Sequence, residues 1–307
     1  MNVGNTPCGI NIPQDLLGQS AGMQPIRKFV TRAEALGYDS LWVTETIIGK
    51  TLVLEPVSFL SYVAALTEKI RLGAAVMLLT LRNPVQLAKS LATLDRMSNG
   101  RLDPGFGIGG RTAEEIFGYT SQGRVRRFEE AIQVMKTLWA QSEASFSGSF
   151  WNFEGVSMRP KPVQLPHPPI WFGARVPAAL KRAVRYGDAF IGAGSSSTPD
   201  FITQSGLIRQ YLEEEGRDPE TFNISKRVYL AVDPDHEGAE KRLREWFGHF
   251  YGNPDMASRV SIWGSRDECL DKLGVLVQAG AKHLVLNPVY NVMEHLELLA
   301  EDIVPYL

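Results

Sequence analysis

Cysteine is almost absent from this chain: Cys8 and Cys269 are the only two in 307 residues. Two thiols without a CxxC pair exclude a disulfide framework and point to a reducing compartment, the cytoplasm. Histidine is scarce as well. His167, His236, His249, His283 and His295 show no metal-ligand spacing, and neither HExxH nor GxSxG occurs. No metal site and no serine triad is therefore expected. Long apolar runs are missing, and so is a charged segment leading into an apolar one near residue 1. Both absences argue against a membrane span or a secretory signal. Nor does one charge dominate, since 32 Lys and Arg stand against 34 Asp and Glu for a net charge of −2. That balance gives no electrostatic case for nucleic acid or an anionic membrane as partner.

What the chain does have is rhythm. Short apolar runs at 9–12, 40–44, 70–79, 101–107, 169–173, 188–192, 222–232 and 282–287 alternate with segments of helical spacing. Strands alternating with helices mean βαβ units and a parallel sheet. Eight such units give the fold class: α/β, a single (β/α)8 TIM barrel. Its chemistry is expected in the loops that follow the strand C-termini. Helices are predicted at 24–37, 56–69, 84–98, 122–140, 177–186, 199–215 and 237–250, and Ser265 with Glu268 reads as a capping box. No shift in composition divides residues 1–307, so one domain is expected. Two insertions interrupt it. Residues 141–168 read as a small hairpin and a proline-rich arm, and residues 251–264 as a loop or lid.

Several strand ends carry chemistry. Glu45 and Thr46 follow the second strand, where a carboxylate orients a ligand, moves a proton or pairs with a loop arginine. Gly105, Gly107 and Gly109 end the fourth strand, a place for close backbone approach of a ligand or for tight packing. Gly173, Ala174, Arg175 and Val176 end the fifth strand; Gly192, Ala193, Gly194 and Ser195 end the sixth. Both loops run directly into helices, whose free N–H groups suit a phosphate. Arg124, Arg126 and Arg127 open the fourth helix and face either anions or solvent. Lys50, Phe106, Tyr119, Trp246 and Trp263 are candidate substrate walls. A sugar-phosphate aldolase barrel would need a reactive lysine inside a strand, and none is expected.

Taken together these segments resemble the luciferase-like monooxygenase family, the bacterial-luciferase superfamily of flavin and deazaflavin F420 enzymes. The resemblance runs through Gly37-Tyr-Asp-Ser-Leu-Trp-Val-Thr-Glu45, Thr67-Glu-Lys-Ile-Arg-Leu-Gly73, Leu81-Arg-Asn-Pro84 and Leu91-Ala-Thr-Leu-Asp-Arg-Met-Ser-Asn-Gly-Arg-Leu102. It continues through Arg127-Phe-Glu-Glu130, Arg159-Pro-Lys-Pro-Val-Gln164 and His167-Pro-Pro-Ile-Trp-Phe-Gly173 to Ala279-Gly280. It is strongest with the F420-dependent branch. The resemblance implies an oxidoreductase that binds F420, or alternatively FMN with a partner reductase, and works on a small organic acceptor. It implies a ring held near a bulge in the third strand, with a non-proline cis peptide at Ala75–Val76. The phosphate would sit on the loops after strands five and six, and a homodimer is the common assembly. The sequence also departs from the family. Relatives often carry an acid followed by histidine after strand two, where this chain has Glu45 and Thr46. The F420 sugar-phosphate dehydrogenases carry a glutamate where this chain has Gly110, which speaks against a sugar phosphate as substrate. A non-catalytic flavin-binding paralogue is the third reading that the missing histidine leaves open.

Overall fold

The computed structural model describes residues 6–14, 22–119 and 122–307. In chain order the strands are β1 (Cys8–Asn11), β2 (Ser40–Val43), β3 (Arg71–Ala74), β4 (Met77–Leu78), β5 (Leu102–Asp103), β6 (Gly105–Gly107) and β7 (Ala144–Ser147). They continue as β8 (Asn152–Val156), β9 (Trp171–Gly173), β10 (Ala189–Gly192), β11 (Asn223–Val232), β12 (Ser261–Gly264) and β13 (His283–Pro288). Among the described residues no helix is long and apolar enough to cross a membrane. The contacts divide the chain into two compact units, Met1–Trp42 with Gly173–Leu307, and Val43–Phe172.

In the first unit β10, β11, β13, β1 and β2 lie side by side, every pair parallel. Parallel pairing needs a crossover between strands, and the helices Gln24–Ala35, Pro177–Tyr186, Thr198–Glu214 and Arg266–Gln278 belong to those crossovers. The strand residues are buried almost without interruption, as expected of a sheet covered on both faces. The segment 251–264, expected as a loop or lid, instead contains the helix Met256–Val260 and strand β12, which pairs in parallel with Tyr229–Val232 of β11. Ala257, Val260 and Ile262 give this polar-looking stretch an apolar side, and that side is buried.

In the second unit the expected third and fourth strands are each broken in two. Ala75 donates its N–H to Val43, and Leu78 donates its N–H to the Glu45 carboxylate rather than to a neighbouring strand. The bond between Ala75 and Val76 is cis, as the family resemblance implied. The second break falls at Pro104, which has no N–H to give to a ladder. The pieces that result pair in parallel, β3 with β5, and β4 with β6 and β6 with β9. Gly105 is required by this arrangement, because a Cβ there would lie 2.0 Å from the Ala74 carbonyl oxygen. A methyl cannot displace main chain cheaply. Gly105→Ala is expected to destabilise the protein by about 3 kcal/mol or more, read as a lower midpoint in urea.

The hairpin in 141–168 is present as β7 and β8, antiparallel, and the Glu130 carboxylate accepts the N–H groups of Ser149 and Phe150 at its turn, both at 2.9 Å. The proline-rich arm is anchored by buried Asp95, which accepts from the N–H groups of Val163 at 2.7 Å and Gln164 at 3.0 Å. A connector pinned by its own backbone is the role its composition suggested.

Candidate active site

The residues that the sequence singled out fall into two places, one in each unit. In the unit Val43–Phe172 the centre is Glu45. Its side chain is 1% exposed. One carboxylate oxygen accepts the Leu78 N–H at 2.5 Å, and the other pairs with the Arg82 guanidinium. Arg82 also reaches Glu55 at 2.9 Å, and Glu55 accepts the Ser58 N–H at 2.7 Å to cap the helix Pro56–Ala64. Burial works against the charge on Arg82, but Glu45 and Glu55 more than offset it and hold the guanidinium above its ordinary pKa. Burial likewise opposes the charge of Glu55, and the Ser58 and Arg82 hydrogen bonds outweigh it to hold the carboxyl below its usual value. The result is a brace of acid, base and acid behind the Ala75–Leu78 segment. Ala75 and Val76 themselves are half-buried, so the front of the bulge is open to a ligand. Thr46, half-buried, follows the brace on the loop.

Gly107 ends β6 in the same unit. Gly109 adopts a left-handed conformation with φ of 76°, and a Cβ there would meet the Leu78 side chain at 3.0 Å. Gly109 is thus needed for backbone shape and for contact with the same bulge. Gly110 faces open space, so the glutamate seen in some relatives would have room here. The structure supplies a carboxylate nearby in sequence that pattern reading missed. Glu114 is fully buried between Arg124 and Arg127, at 3.3 Å from each. Arg124 also donates to the carbonyl of Gly109 at 2.7 Å. Arg124 and Arg127 are therefore internal, while Arg126 pairs with Glu130 on its own helix. Of the expected substrate walls, Phe106 is fully buried and cannot be one, because it packs in β6 within the sheet. Tyr119 lies against the Arg127 guanidinium at 4.8 Å, and Lys50 is exposed.

In the unit that contains Gly173–Leu307, the loop Gly173, Ala174, Arg175 and Val176 leads into the helix Pro177–Tyr186. No side chain caps that helix; Pro177 has no N–H to give and Ala179 donates to the Val176 carbonyl at 2.9 Å, which leaves the Ala178 N–H for an anion. The loop Gly192, Ala193, Gly194 and Ser195 differs. Its helix is closed by a capping box between Ser197 and Asp200, which already fills that N-terminus with a carboxylate. The Ser197 hydroxyl, foremost among several influences, holds the Asp200 carboxyl below its usual pKa. What marks this loop is cations. Arg175 donates to the Ser195 hydroxyl. Lys226 donates to the Ala193 carbonyl at 2.6 Å. Burial first, then Arg227 and Arg175, push the Lys226 amine down to about 7. The expectation that no strand carries an interior lysine is therefore wrong. Lys226 lies within β11 and is 3% exposed. Its signal was a Lys-Arg pair inside a strand otherwise rich in Val, Ile, Leu and Tyr, where charges are rare unless they serve a purpose. Trp246 is stacked on Phe250 at 4.7 Å, and Trp263 lies beside Lys272 at 5.7 Å.

A braced bulge at the end of one strand and a cation-lined, glycine-rich loop at the end of another now stand beside the family comparison. The sequence model for luciferase-like monooxygenases matches residues 8–283. The chain belongs to the luciferase-like monooxygenase family. Members similar to it include an F420-dependent glucose-6-phosphate dehydrogenase of Kineococcus radiotolerans, 30% identical over 228 residues, with 71% of this chain and 67% of that protein covered. A 5,10-methylenetetrahydromethanopterin reductase of Archaeoglobus fulgidus is 26% identical over 216 residues, covering 70% of this chain and 63% of that one. Among solved structures, an F420-dependent secondary alcohol dehydrogenase in complex with an F420–acetone adduct shares the fold with a TM-score of 0.84 over 98% of both chains at 20% identity. The FMN-bound oxygenating constituent of 3,6-diketocamphane monooxygenase from Pseudomonas putida shares it at 0.79 over 98% of both chains and 17% identity. The α/β fold built on parallel strands is thus the one expected, and the family is one of oxidoreductases.

Proposed function

We propose that this luciferase-like family member binds F420 and transfers a hydride between it and a small organic acceptor. The relatives named for F420 support this reading, and one observation carries it: Arg175 and Lys226 bring two basic groups to a glycine-rich loop, and among the described residues no carboxylate lies within ion-pair distance of either. Cations gathered without a counter-charge are costly unless an anion completes them. The phosphate of F420 or FMN is such an anion, and the uncapped N-terminus of the helix Pro177–Tyr186 adds to its binding through the Ala178 N–H. The ring contacts are assigned to Ala75 and Val76, with Gly107 and Gly109 beside them in sequence-adjacent strand ends; the phosphate contacts are assigned to residues 173–176 and 192–195. When bound, the cofactor supplies the hydride or activates oxygen. The protein's own part is positional. Glu45, paired with Arg82, fixes the Leu78 N–H of the bulge, and Thr46 offers a hydroxyl where relatives have an imidazole.

One observation favours the FMN alternative. A phosphomonoester carries close to two negative charges at neutral pH, and a cluster of cations suits it better than a singly charged diester. In that reading a reductase partner supplies reduced FMN and the chain is a monooxygenase. Titrating the protein with F420, FMN and riboflavin, followed by cofactor fluorescence, decides between them. F420 binding in preference to FMN supports hydride transfer. FMN binding at least tenfold tighter than riboflavin supports the monooxygenase and confirms the phosphate contacts. Failure of all three to bind removes both readings. A cytoplasmic location, a small-molecule substrate and a homodimer belong to the same proposal, and gel filtration tests the last.

A further inference from the structure

Two arginines of this chain are buried to the same degree, and their surroundings could hardly differ more. Arg101 and Arg227 are each 8% exposed. Arg101 donates to the carbonyls of Ser98, Ile70, Ala64 and Thr67 and to the Thr67 hydroxyl, so its guanidinium is solvated by the protein itself. That is a structural arginine. Arg227 meets only tyrosine hydroxyls, donating to Tyr229 at 2.7 Å and hydrogen-bonding Tyr251 as well, and its Nε is buried with no partner. Among the described residues no carboxylate lies within ion-pair distance of it. A buried guanidinium left in this state is expensive, and proteins keep such groups where a ligand completes them.

Its place on the sheet sets it on the other face from Lys226, with its Nε beside Gly194 of the loop after β10. Lys226 and Arg227 are consecutive in β11 and point to opposite faces. A Cβ on Gly192 would meet Lys226 and Phe201, whereas one on Gly194 would meet Arg227 and Tyr229. The face that carries Arg227 is unusually polar. Arg227 stands beside Val285, and Val285 beside Gly9, where the Ser40 hydroxyl and the Trp42 indole fill the place a side chain would take. One layer further along the strands, Tyr229 stands beside Asn287, and Asn11 beside Trp42. The register of β1 on β13, with Ile10 beside Leu286, brings Asn11 level with Asn287. Four hydrogen-bonding side chains thus occupy one row above the arginine. Asn11 Oδ1 is a second buried atom without a partner. The Tyr229 hydroxyl meets that of Tyr251 at 2.6 Å, which fixes it as a wall.

We infer that Arg227 is the seat of a substrate-binding site for an oxyanion, a carboxylate or a phosphate, on the face of β11 opposite Lys226. The planar fork of a guanidinium matches both groups, and burial of Arg227 strengthens the contact. Asn287 and Asn11 then read the neutral part of the same molecule. The acceptor on which this enzyme works is accordingly an acid rather than a neutral ketone or alcohol. The inference rests on the oxidoreductase reading, but its test does not depend on turnover.

The experiment compares wild type with Arg227→Met and Arg227→Lys. Acetate, benzoate and phenyl phosphate are titrated by calorimetry into cofactor-loaded protein, each against its neutral counterpart, acetamide, benzamide or phenol. At least one anion is expected to bind wild type ten times or more tightly than its counterpart. That preference disappears in Arg227→Met and survives in part in Arg227→Lys. F420, FMN and riboflavin affinities stay within twofold of wild type in both variants. The unliganded Arg227→Met protein melts a few degrees higher than wild type, because an uncompensated charge has gone. Three results overturn the inference. No anion is preferred by wild type; or Arg227→Met melts lower, which makes Arg227 structural; or Arg227→Met weakens FMN but not riboflavin, which gives the arginine to the cofactor phosphate. If no cofactor binds wild type at all, the oxidoreductase reading fails first, and the same titrations on the unloaded protein still report on Arg227.

Discussion

Replacing Glu45 with alanine is expected to destabilise the protein by about 3–5 kcal/mol and to abolish measurable cofactor binding. The size follows from what is left behind. Arg82, with a side chain only 18% exposed, keeps only the half-exposed Glu55 as a partner. Removing one member of a buried pair leaves an uncompensated charge, and that is worse than never having built the pair. The Leu78 N–H loses its acceptor at the same time. Glu45→Gln keeps an acceptor but no charge and should fall between the two. Urea denaturation gives the stability, and cofactor fluorescence gives the affinity. A Glu45→Ala protein of wild-type stability would mean that the brace is idle. A Glu45→Gln protein that binds cofactor normally but loses turnover, along with one limb of its pH profile, would make Glu45 a proton carrier instead.

Lys226→Met is expected to act in opposite directions on stability and binding. The amine of Lys226 is pushed down to about 7 in the folded chain from the ordinary 10.5. Between those two values the unfolded chain binds a proton that the folded chain does not, so stability rises with pH across this window. Below about pH 7 both states are protonated, and the folded state carries the full penalty of a buried charge. Lys226→Met should therefore stabilise the unliganded protein, by up to about 4 kcal/mol at pH 6, and flatten the rise between pH 7 and 10. The same change removes a cation from the loop after β10. FMN should bind at least tenfold more weakly, while riboflavin is unaffected. In wild type, FMN affinity should fall as pH climbs above 7, because the amine loses its charge. Thermal melts across pH and parallel FMN and riboflavin titrations read both effects. Equal losses for FMN and riboflavin would show that Lys226 shapes the loop rather than meeting the phosphate.

The frame of this protein is written locally, and the site is not. Pro56, Pro84 and Pro177 each open a helix where the sequence placed one, because proline suits the first turn and nothing distant is needed to decide it. The Ser265–Glu268 capping box is equally self-contained. The bulge at Ala75–Val76 came from family resemblance alone, since an unbroken apolar run from 70 to 79 reads as one strand. What breaks it is a carboxylate thirty-odd residues away in sequence, Glu45, whose partner cannot be read from spacing. Buried charge was the hardest thing to see. Lys226 and Arg227 look like a surface pair until the strands on either side of β11 are known. Glu114 looks like an ordinary helix residue until Arg124 and Arg127 close on it. The irregular loop expected at 251–264 gave way for the same reason: polar composition hid the alternate residues that bury Ile262 and pair β12 with β11.

Strand β11 is ten residues long, and the chain that leaves it at Asp233 comes back at Gly264, where the N–H of Asp233 donates to the Gly264 carbonyl at 2.8 Å. Everything in between, the helix His236–Tyr251, the helix Met256–Val260 and β12, is one insertion closed at that neck and packed back on β11 through the β12 ladder and a core of Tyr229, Ala231, Phe247 and Ala257. Such a neck makes the stretch a cassette. Its length can change at little entropic expense, because closure grows only with the logarithm of loop length. Its outer residues can drift without disturbing the parallel ladder that β11 shares with β10 and β13. Yet it sends Tyr251 back to touch Tyr229, next to Arg227. Sequence change confined to this insertion would thus reshape the wall beside Arg227, where the acceptor is proposed to bind, while the strands assigned to the cofactor stay as they are.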